Sequence, residues 1–420
     1  MTDLARQFRR NLLERFLRYA GVRTTSDTVR ADKGIVPSSP GELELAEIIA
    51  EELRALGIAE VAVTTHGYLC ARIPAGPGCA CGPPVCLLAH LDTVETVSGA
   101  DVRPCVFEGY DGTAITLEGG AALDPAADAE LAAAKGETII TSDGRTLLGA
   151  DDKAGVAEIV TLMEILLAHR EIPHGEIEII LSPDEETGHG MDFVPTQWMH
   201  SRHCLTLDGS GLGEIECECF NAWKSRVVFT GVARHTGTAR PAMVNAVSLA
   251  ADFVSLLPRH ESPETTDGRQ GFYAPHRVSG TMEDAEVTVL LRDFDAAAME
   301  KRLKIVEQLA QAVIAGHTGS TVTVTHTRQY VNMRESLEKQ PVLLNCLVRA
   351  AKSLGVTPVF KPIRGGTDGS RLTEMGYPTP NMWTGGHNFH SPTEWASLDQ
   401  MEKALAVLIE FVVQFAYENI

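Results

Sequence analysis

The chain has 420 residues and a mass of 45.3 kDa, with 44% hydrophobic and 22% charged residues, an ordinary balance for a soluble globular protein. Lys and Arg total 36 and Asp and Glu total 56, a formal net charge of −20. That balance argues against nucleic acid as a main partner, because phosphate binding needs a basic surface, and against docking on an anionic membrane.

The twenty residues after Met1, "TDLARQFRRNLLERFLRYAG", have helical spacing and dispersed charge, without the apolar stretch of a signal peptide. No segment approaches the roughly 18 unbroken apolar residues of a membrane span. The nine Cys lie in apolar or strand-like settings, and Cys79 and Cys81 are too close together for a metal knuckle. They read as reduced, structural thiols of a cytoplasmic protein.

Leu43–Leu56 repeats its apolar positions every three or four residues, which predicts a helix stopping at Gly57. "VAVTTHGYLCARIP" alternates like strands. After the turn "PAGPGCACGPP", the apolar run "VCLLAHLD" reads as a buried strand. Residues 98 to 136 read as an irregular surface excursion. "TIITSDGRTLLGADDKAG" predicts a hairpin-like stretch and a turn, and "GVAEIVTLMEILLAHR" an amphipathic helix. "GEIEIILSPDEETG" and "HCLTLDGSG" are apolar strands ending in acids. Strands alternating with helices predict an α/β domain with a mainly parallel sheet, whose functional groups gather beyond the carboxyl ends of the strands.

The middle of the chain differs. "IECECFNAWKSRVVFTGVA", "EVTVLLRDFD" and "STVTVTHTRQY" read as antiparallel strands, interleaved with the helices "MVNAVSLAADFVSLLP" and "AAAMEKRLKIVEQLAQAVIAG". This predicts an inserted α+β domain over 215–330, with 1–214 and 331–420 forming the surrounding domain. The chain then resumes with "PVLLNCLVRAAKSLG" and closes on the helix "LDQMEKALAVLIEFVVQFAYENI".

Five places carry residues suited to chemistry. His90 and Asp92 end a buried strand, where an imidazole can ligate a metal and a carboxylate two residues on can orient it; a solvated turn explains the pair equally well. Asp151 and Asp152 follow a strand and precede a helix, so they read either as ligands or as first-turn acids favoured by the helix dipole. Asp184-Glu185-Glu186 places three carboxylates in a row, which repel one another without a cation or solvent. One of them as ligand and the next as general base is the functional reading. Asp208 ends another strand, and His390 lies in "GGHNFHSPTEW". Two imidazoles and three carboxylates without thiolate suit paired zinc or similar divalent ions.

The stretches "LLAHLDTVE", "TLLGADDKAGVAEI", "PDEETGHG", "KPIRGGTDGSRL" and "HNFHSPTEW" give the chain a close resemblance to the M20 metallopeptidases. "ESPETTDGRQGFY" and "YVNMRE" point to the tripeptide-aminopeptidase branch of that family. The resemblance implies a zinc-peptidase fold with an inserted, ferredoxin-like lid or dimerisation domain, and a homodimer formed through it. It implies two Zn2+ per subunit, with Co2+ or Mn2+ as substitutes. His90 and Asp208 would hold one ion and Glu186 and His390 the other, with Asp151 bridging and Asp92 steadying His90. Glu185 would be the general base. His235, Asn245, Arg292 and Arg364 would meet the substrate, a short peptide losing its N-terminal residue, with His235 at the oxyanion and the two arginines at the peptide carboxylate. Thr236 follows His235 where the family usually has Pro, a departure that loosens the expected turn. A dipeptidase, a carboxypeptidase-like enzyme or an N-acyl amino-acid hydrolase of the same family is the nearest alternative. A non-catalytic metal- or peptide-binding protein is a more distant one.

Overall fold

The computed structural model describes residues 1–80 and 82–418, so Cys81 lies outside the described residues. The chain divides into two compact units. The first takes Met1–Cys217, Glu335–Lys361 and Thr367–Ile420, and the second takes Glu218–Arg334 and Pro362–Gly366.

The first unit is built on an eight-stranded mixed sheet. Its spatial order is Glu60–Val63, Leu69–Ile73, Ile177–Ser182, Val85–His90, Cys204–Gly209, Asn381–Trp383, Glu214–Glu216 and Val359–Phe360. The four strands from Ile177–Ser182 to Asn381–Trp383 run parallel. Val85–His90 is buried along its whole length, as a central parallel strand covered on both faces must be, which is why it reads as an unbroken apolar run. The helix Ala150–Ala168 is buried on nearly every side and packs on this sheet. Gly155 makes the close approach possible, because a Cβ there would lie 1.9 Å from the Leu207 carbonyl oxygen of the neighbouring strand. The C-terminal helix Leu398–Phe415 completes the core. The parallel direction of the central strands brings His90, the 183–186 turn and Asp208 to the same carboxyl edge.

In this unit the sequence expectation needs adjustment in two places. The hairpin expected near 138–148 is a single strand, Ile139–Thr141, which pairs with Trp395–Ser397 and Cys105–Phe107 from distant parts of the chain. The 98–136 excursion contains short strands at Cys105–Phe107, Ile115–Thr116 and Ala122–Leu123 and the helix Ala129–Ala133. Their apolar side chains close around Trp395, so the pattern is set by a remote partner rather than by local period. The free thiols of Cys70, Cys79, Cys86, Cys204 and Cys346 are buried. Burial pushes Cys70 and Cys346 up to about 12, which leaves them as inert packing groups. No helix among the described residues is long and apolar enough to cross a membrane.

The second unit is a four-stranded antiparallel sheet in the order Phe272–Gly280, Asp284–Asp293, Asn221–Thr230, Thr321–Tyr330. The helices Ala246–Leu256 and Ala296–Ile314 share a core with it, in a βαββαβ chain order of ferredoxin-like type. Asp284–Asp293 alternates buried and half-buried residues, the period-two pattern of a sheet with one covered face. The edge strand Phe272–Gly280 escapes the sequence pattern because Pro275 interrupts it and a register shift follows. Residues 362–366, expected with the surrounding domain, belong to this unit. Ile363 N–H donates to the Glu218 carbonyl, and the Arg364 guanidinium lies over the Phe220 and Phe272 rings.

Candidate active site

The candidate acids and imidazoles of the first unit sit at or just beyond strand ends and in the turns that follow them. His90 is the last residue of its strand and nearly fully buried. Its Nδ1–H faces Asp92, 3.1 Å from the carbonyl and 3.3 Å from the carboxylate. That contact leaves Nε2 pointing at Asp151 Oδ1, 2.8 Å away, with Asp208 Oδ1 at 3.6 Å. On the other side of Asp151, Oδ2 lies 3.0 Å from His390 Nε2, which is also 2.8 Å from Glu186 Oε1. Asp151 thus presents one carboxylate oxygen to each imidazole. The potential ligand atoms of His90, Asp151 and Glu186 all lie within 4.8 Å of one another.

The charges in this cluster call for a cation. Burial opposes an imidazolium at His90, but the carboxylates of Asp151, Asp208 and Asp92 outweigh it and raise the pKa well above its ordinary value. The carboxylates of Asp151 and Glu186 raise His390 to about 10. Burial, together with repulsion from Asp151, pushes Glu186 up to about 7. Burial likewise pushes Glu185 well up, helped by Asp208, Asp368 and Glu186 and opposed by His90. Among the described residues, buried Glu186 Oε1 has no hydrogen-bond partner, although His390 is near. Divalent ions would satisfy that oxygen and the Nε2 atoms of the two imidazoles, and nitrogen and oxygen donors suit zinc-like metals.

The turn that carries the acids is held by other acids. Asp92 is fully buried, and its two carboxylate oxygens accept the backbone N–H groups of Glu185 (2.9 Å) and Glu186 (3.1 Å). Asp184 adopts a left-handed backbone with φ 56°, uncommon outside glycine, as does His390 with φ 58°. Asp184 N–H donates to Glu42 at 2.9 Å and its carboxylate accepts from Ser38 N–H at 2.7 Å. Asp152 is not directed as Asp151 is: its Oδ2 accepts the His90 backbone N–H at 3.0 Å.

The remaining named residues lie in the second unit. His235 is exposed, and its Nδ1 accepts the Gly237 N–H at 3.2 Å. The ring therefore fastens the turn itself, in place of the expected proline, and keeps its proton on Nε2. Asn245 caps the helix Ala246–Leu256, with Oδ1 accepting from Val247 N–H at 3.0 Å. Arg292 donates to the carbonyls of Leu291 (3.0 Å) and Trp223 (3.3 Å) and lies over the Tyr330 ring. Arg364 donates to the carbonyls of Gly268 (2.9 Å) and Gln270 (3.0 Å) and to Thr266 Oγ1 (2.9 Å), so it ties down the 266–270 loop.

The sequence profile of peptidase family M20/M25/M40 matches residues 141–414. The chain belongs to that family. A relative named peptidase T from Clostridium perfringens is 42% identical over 406 residues, covering 96% of this chain and 98% of its own. Peptidase T of Geobacillus kaustophilus is 41% identical over 409 residues, covering 97% and 98%. Among solved structures, the aminopeptidase PepT of Bacillus cereus superposes with a TM-score of 0.74 at 22% identity, covering 97% of this chain and 99% of that one. A dinuclear metal-binding M20 peptidase of Bacillus subtilis superposes with a TM-score of 0.66 at 16% identity, covering 97% and 98%. As an M20 peptidase, the chain is a hydrolase of peptide bonds.

Several polar residues around this M20 site carry no sequence signal of their own. Asn381 accepts the Asp208 N–H at 2.9 Å and donates to Glu216 at 2.6 Å, and burial pushes Glu216 up to about 8. Glu42 lies inside a capping box at the start of the helix Pro40–Ala55, a signal that marks the helix but not its reach to Asp184. Lys153 Nζ is buried and donates to the Val22 carbonyl at 2.7 Å. The two other histidines close to motif residues turn away from the cluster: His189 pairs with Asp192 and Asp32, and His387 stacks on Trp395. A separate group, Glu176, Glu178 and His200, already has the Arg72 guanidinium against both carboxylates.

Proposed function

We propose that this chain is a two-zinc aminopeptidase that removes the N-terminal residue from tripeptides. The observation that carries the reading is the Asp151 carboxylate, with one oxygen 2.8 Å from His90 Nε2 and the other 3.0 Å from His390 Nε2. His90 and Asp208 would hold one ion and Glu186 and His390 the other, with Asp151 shared. Asp92 fixes the His90 ring and the backbone of the two glutamates. When bound, the ions supply a more acidic water and a polarised carbonyl. Glu185, next to the ligand Glu186, takes the proton of the attacking water and returns it to the departing amine. His235 Nε2–H donates to the oxyanion as charge develops there. Arg292 and Arg364 supply the positive charge that the peptide carboxylate needs on a chain of net charge −20, and Arg364 exchanges loop carbonyls for it. Asn245 keeps its amide nitrogen for the substrate while its oxygen caps the helix.

The curated relatives named peptidase T support the tripeptide preference. The buried thiols support a cytoplasmic setting. The exposed edge strand Phe272–Gly280 supports a homodimer formed through the inserted unit, in which that unit also acts as a lid. The test is a panel of di-, tri- and longer peptides with free and blocked termini, run on protein with counted metals. Tripeptides with both termini free are expected to be cleaved fastest. Equal cleavage of N-acylated substrates would sink the aminopeptidase reading. For the dimer, mixing inactive Glu185→Ala and His235→Ala proteins is expected to restore activity if His235 serves the partner's site.

A further inference from the structure

The chain enters the helix that ends at Ala168 through a non-helical turn: Gly149 has φ 80°, and Asp151 (φ −82°, ψ 102°) and Asp152 (φ −121°, ψ 30°) leave helical geometry. Buried backbone N–H groups in such a turn have no helical partner and need another acceptor. Here the acceptor comes from a loop far away in sequence. Glu394 Oε2 accepts the N–H of Leu148 at 2.7 Å and of Gly149 at 2.9 Å, and Oε1 lies 3.2 Å from the N–H of Asp151. Glu394 is 1% exposed, so this carboxylate does not serve solvent. It follows His390 by four residues, and its own N–H donates to the Ser391 carbonyl within the same loop.

We propose that Glu394 is a positioning residue that fixes the bridging carboxylate Asp151 relative to His390, and through them the spacing of the two metal positions. One carboxyl group thereby fastens two ligand-bearing segments, 148–151 and 390–394. The inference rests on the two-metal reading above. A glutamine cannot replace this group, since its amide nitrogen would face a backbone N–H wherever it replaces an acceptor oxygen. The general rule for groups that orient metal ligands is a loss of about 10–100-fold in metal affinity on removal.

The experiment is a Co2+ titration of chelator-stripped wild type and Glu394→Gln, followed by absorbance and by calorimetry, with circular dichroism to check the fold. The wild type is expected to take two equivalents. The variant is expected to keep its secondary structure, to bind at least tenfold more weakly, and to show an altered Co2+ band at saturation. If folded Glu394→Gln binds two equivalents with wild-type affinity and spectrum, the positioning role is wrong while the two-metal reading stands. If the wild type itself does not take two equivalents, it is the two-metal reading that fails. Should Glu394→Gln not fold, Glu394→Asp, which keeps the charge but is shorter by one methylene, must show the same weakening.

Discussion

Four site residues of the first unit and three named residues of the second are held in opposite ways, while Arg364 of the second unit is held from a distance like the first group. His90, Asp92, Asp151 and Asp208 are buried or nearly so, and each is fixed by partners from remote segments: His90 through the Asp152 carboxylate, Asp92 through two backbone amides, Asp151 through Glu394, Asp208 through Asn381. His235, Asn245 and Arg292 are exposed or half-buried, and they are held chiefly by their own neighbourhood: a turn amide, a helix start, adjoining strand carbonyls. A metal site needs like charges held together, so its geometry must be imposed from outside the charged residues. Groups that meet a substrate need only local order, because the substrate supplies the remaining partners.

The sharpest test of this contrast is Glu185→Ala. Turnover should fall by a factor on the order of 10²–10⁴, the usual worth of a general base, with two metals still bound by mass spectrometry. High residual turnover in the metal-loaded variant would exclude Glu185 as the base. Asp151→Ala should act on the metals first, since one carboxylate faces both imidazoles. Metal content after gel filtration is expected to drop below one ion per chain, and retention of two would contradict the bridge.

The second unit should respond more mildly. Arg292→Ala is expected to raise KM for tripeptides by roughly 10-fold or more, as loss of a charged hydrogen bond implies, with little change in kcat. The same variant should prefer the free over the amidated tripeptide less strongly than the wild type, since only Arg364 then faces the carboxylate, and an undiminished preference would remove Arg292 from substrate binding. Asn245→Ala should cost about 1 kcal/mol of stability as a lost helix cap, read as a lower melting temperature. A fall in kcat/KM at unchanged stability would instead assign Asn245 wholly to the substrate.

The first unit also contains a buried acid outside the metal cluster. Glu158 is fully buried, and neither carboxylate oxygen has a hydrogen-bond partner among the described residues. Burial, aided by Asp152, holds its folded pKa well above 4.5. Its contribution is therefore fully present below the unfolded value and is lost as pH rises toward the folded one. Glu158→Met should stabilise the chain by about 1–3 kcal/mol at pH 8, with a smaller gain at pH 5. Melting temperatures at the two pH values decide it, and an equal gain at both would show that charge is not the cause.

Part of this could be read without coordinates. "VCLLAHLD", "EIEIILSPDEE" and "CLTLD" are apolar runs ending in acids or imidazole, and a parallel sheet has only one edge at which such ends can meet. The helix over "GVAEIVTLMEILLAHR" is also legible, but as an amphipathic one, and the structure buries it on nearly every side. The strand Phe272–Gly280 was hidden by Pro275, and the partners of Ile139–Thr141 were hidden because a three-residue strand carries no period of its own. Arg364 was expected free for a carboxylate, and its hold on the 266–270 loop is a contact across about a hundred residues that no spacing encodes.

The sequence by itself determined which residue types are available and at which strand ends, because burial and alternation are local consequences of composition. Only the tertiary structure decided how those ends are aimed. Glu394 stands 245 residues from Gly149, Asp92 reaches 93 residues to Glu185, and Asn381 reaches 173 residues to Asp208. Each of these contacts pays no local signal into the sequence, since a hydrogen bond depends on distance in space, and the chain brings those atoms together only when the sheet and its helices are packed.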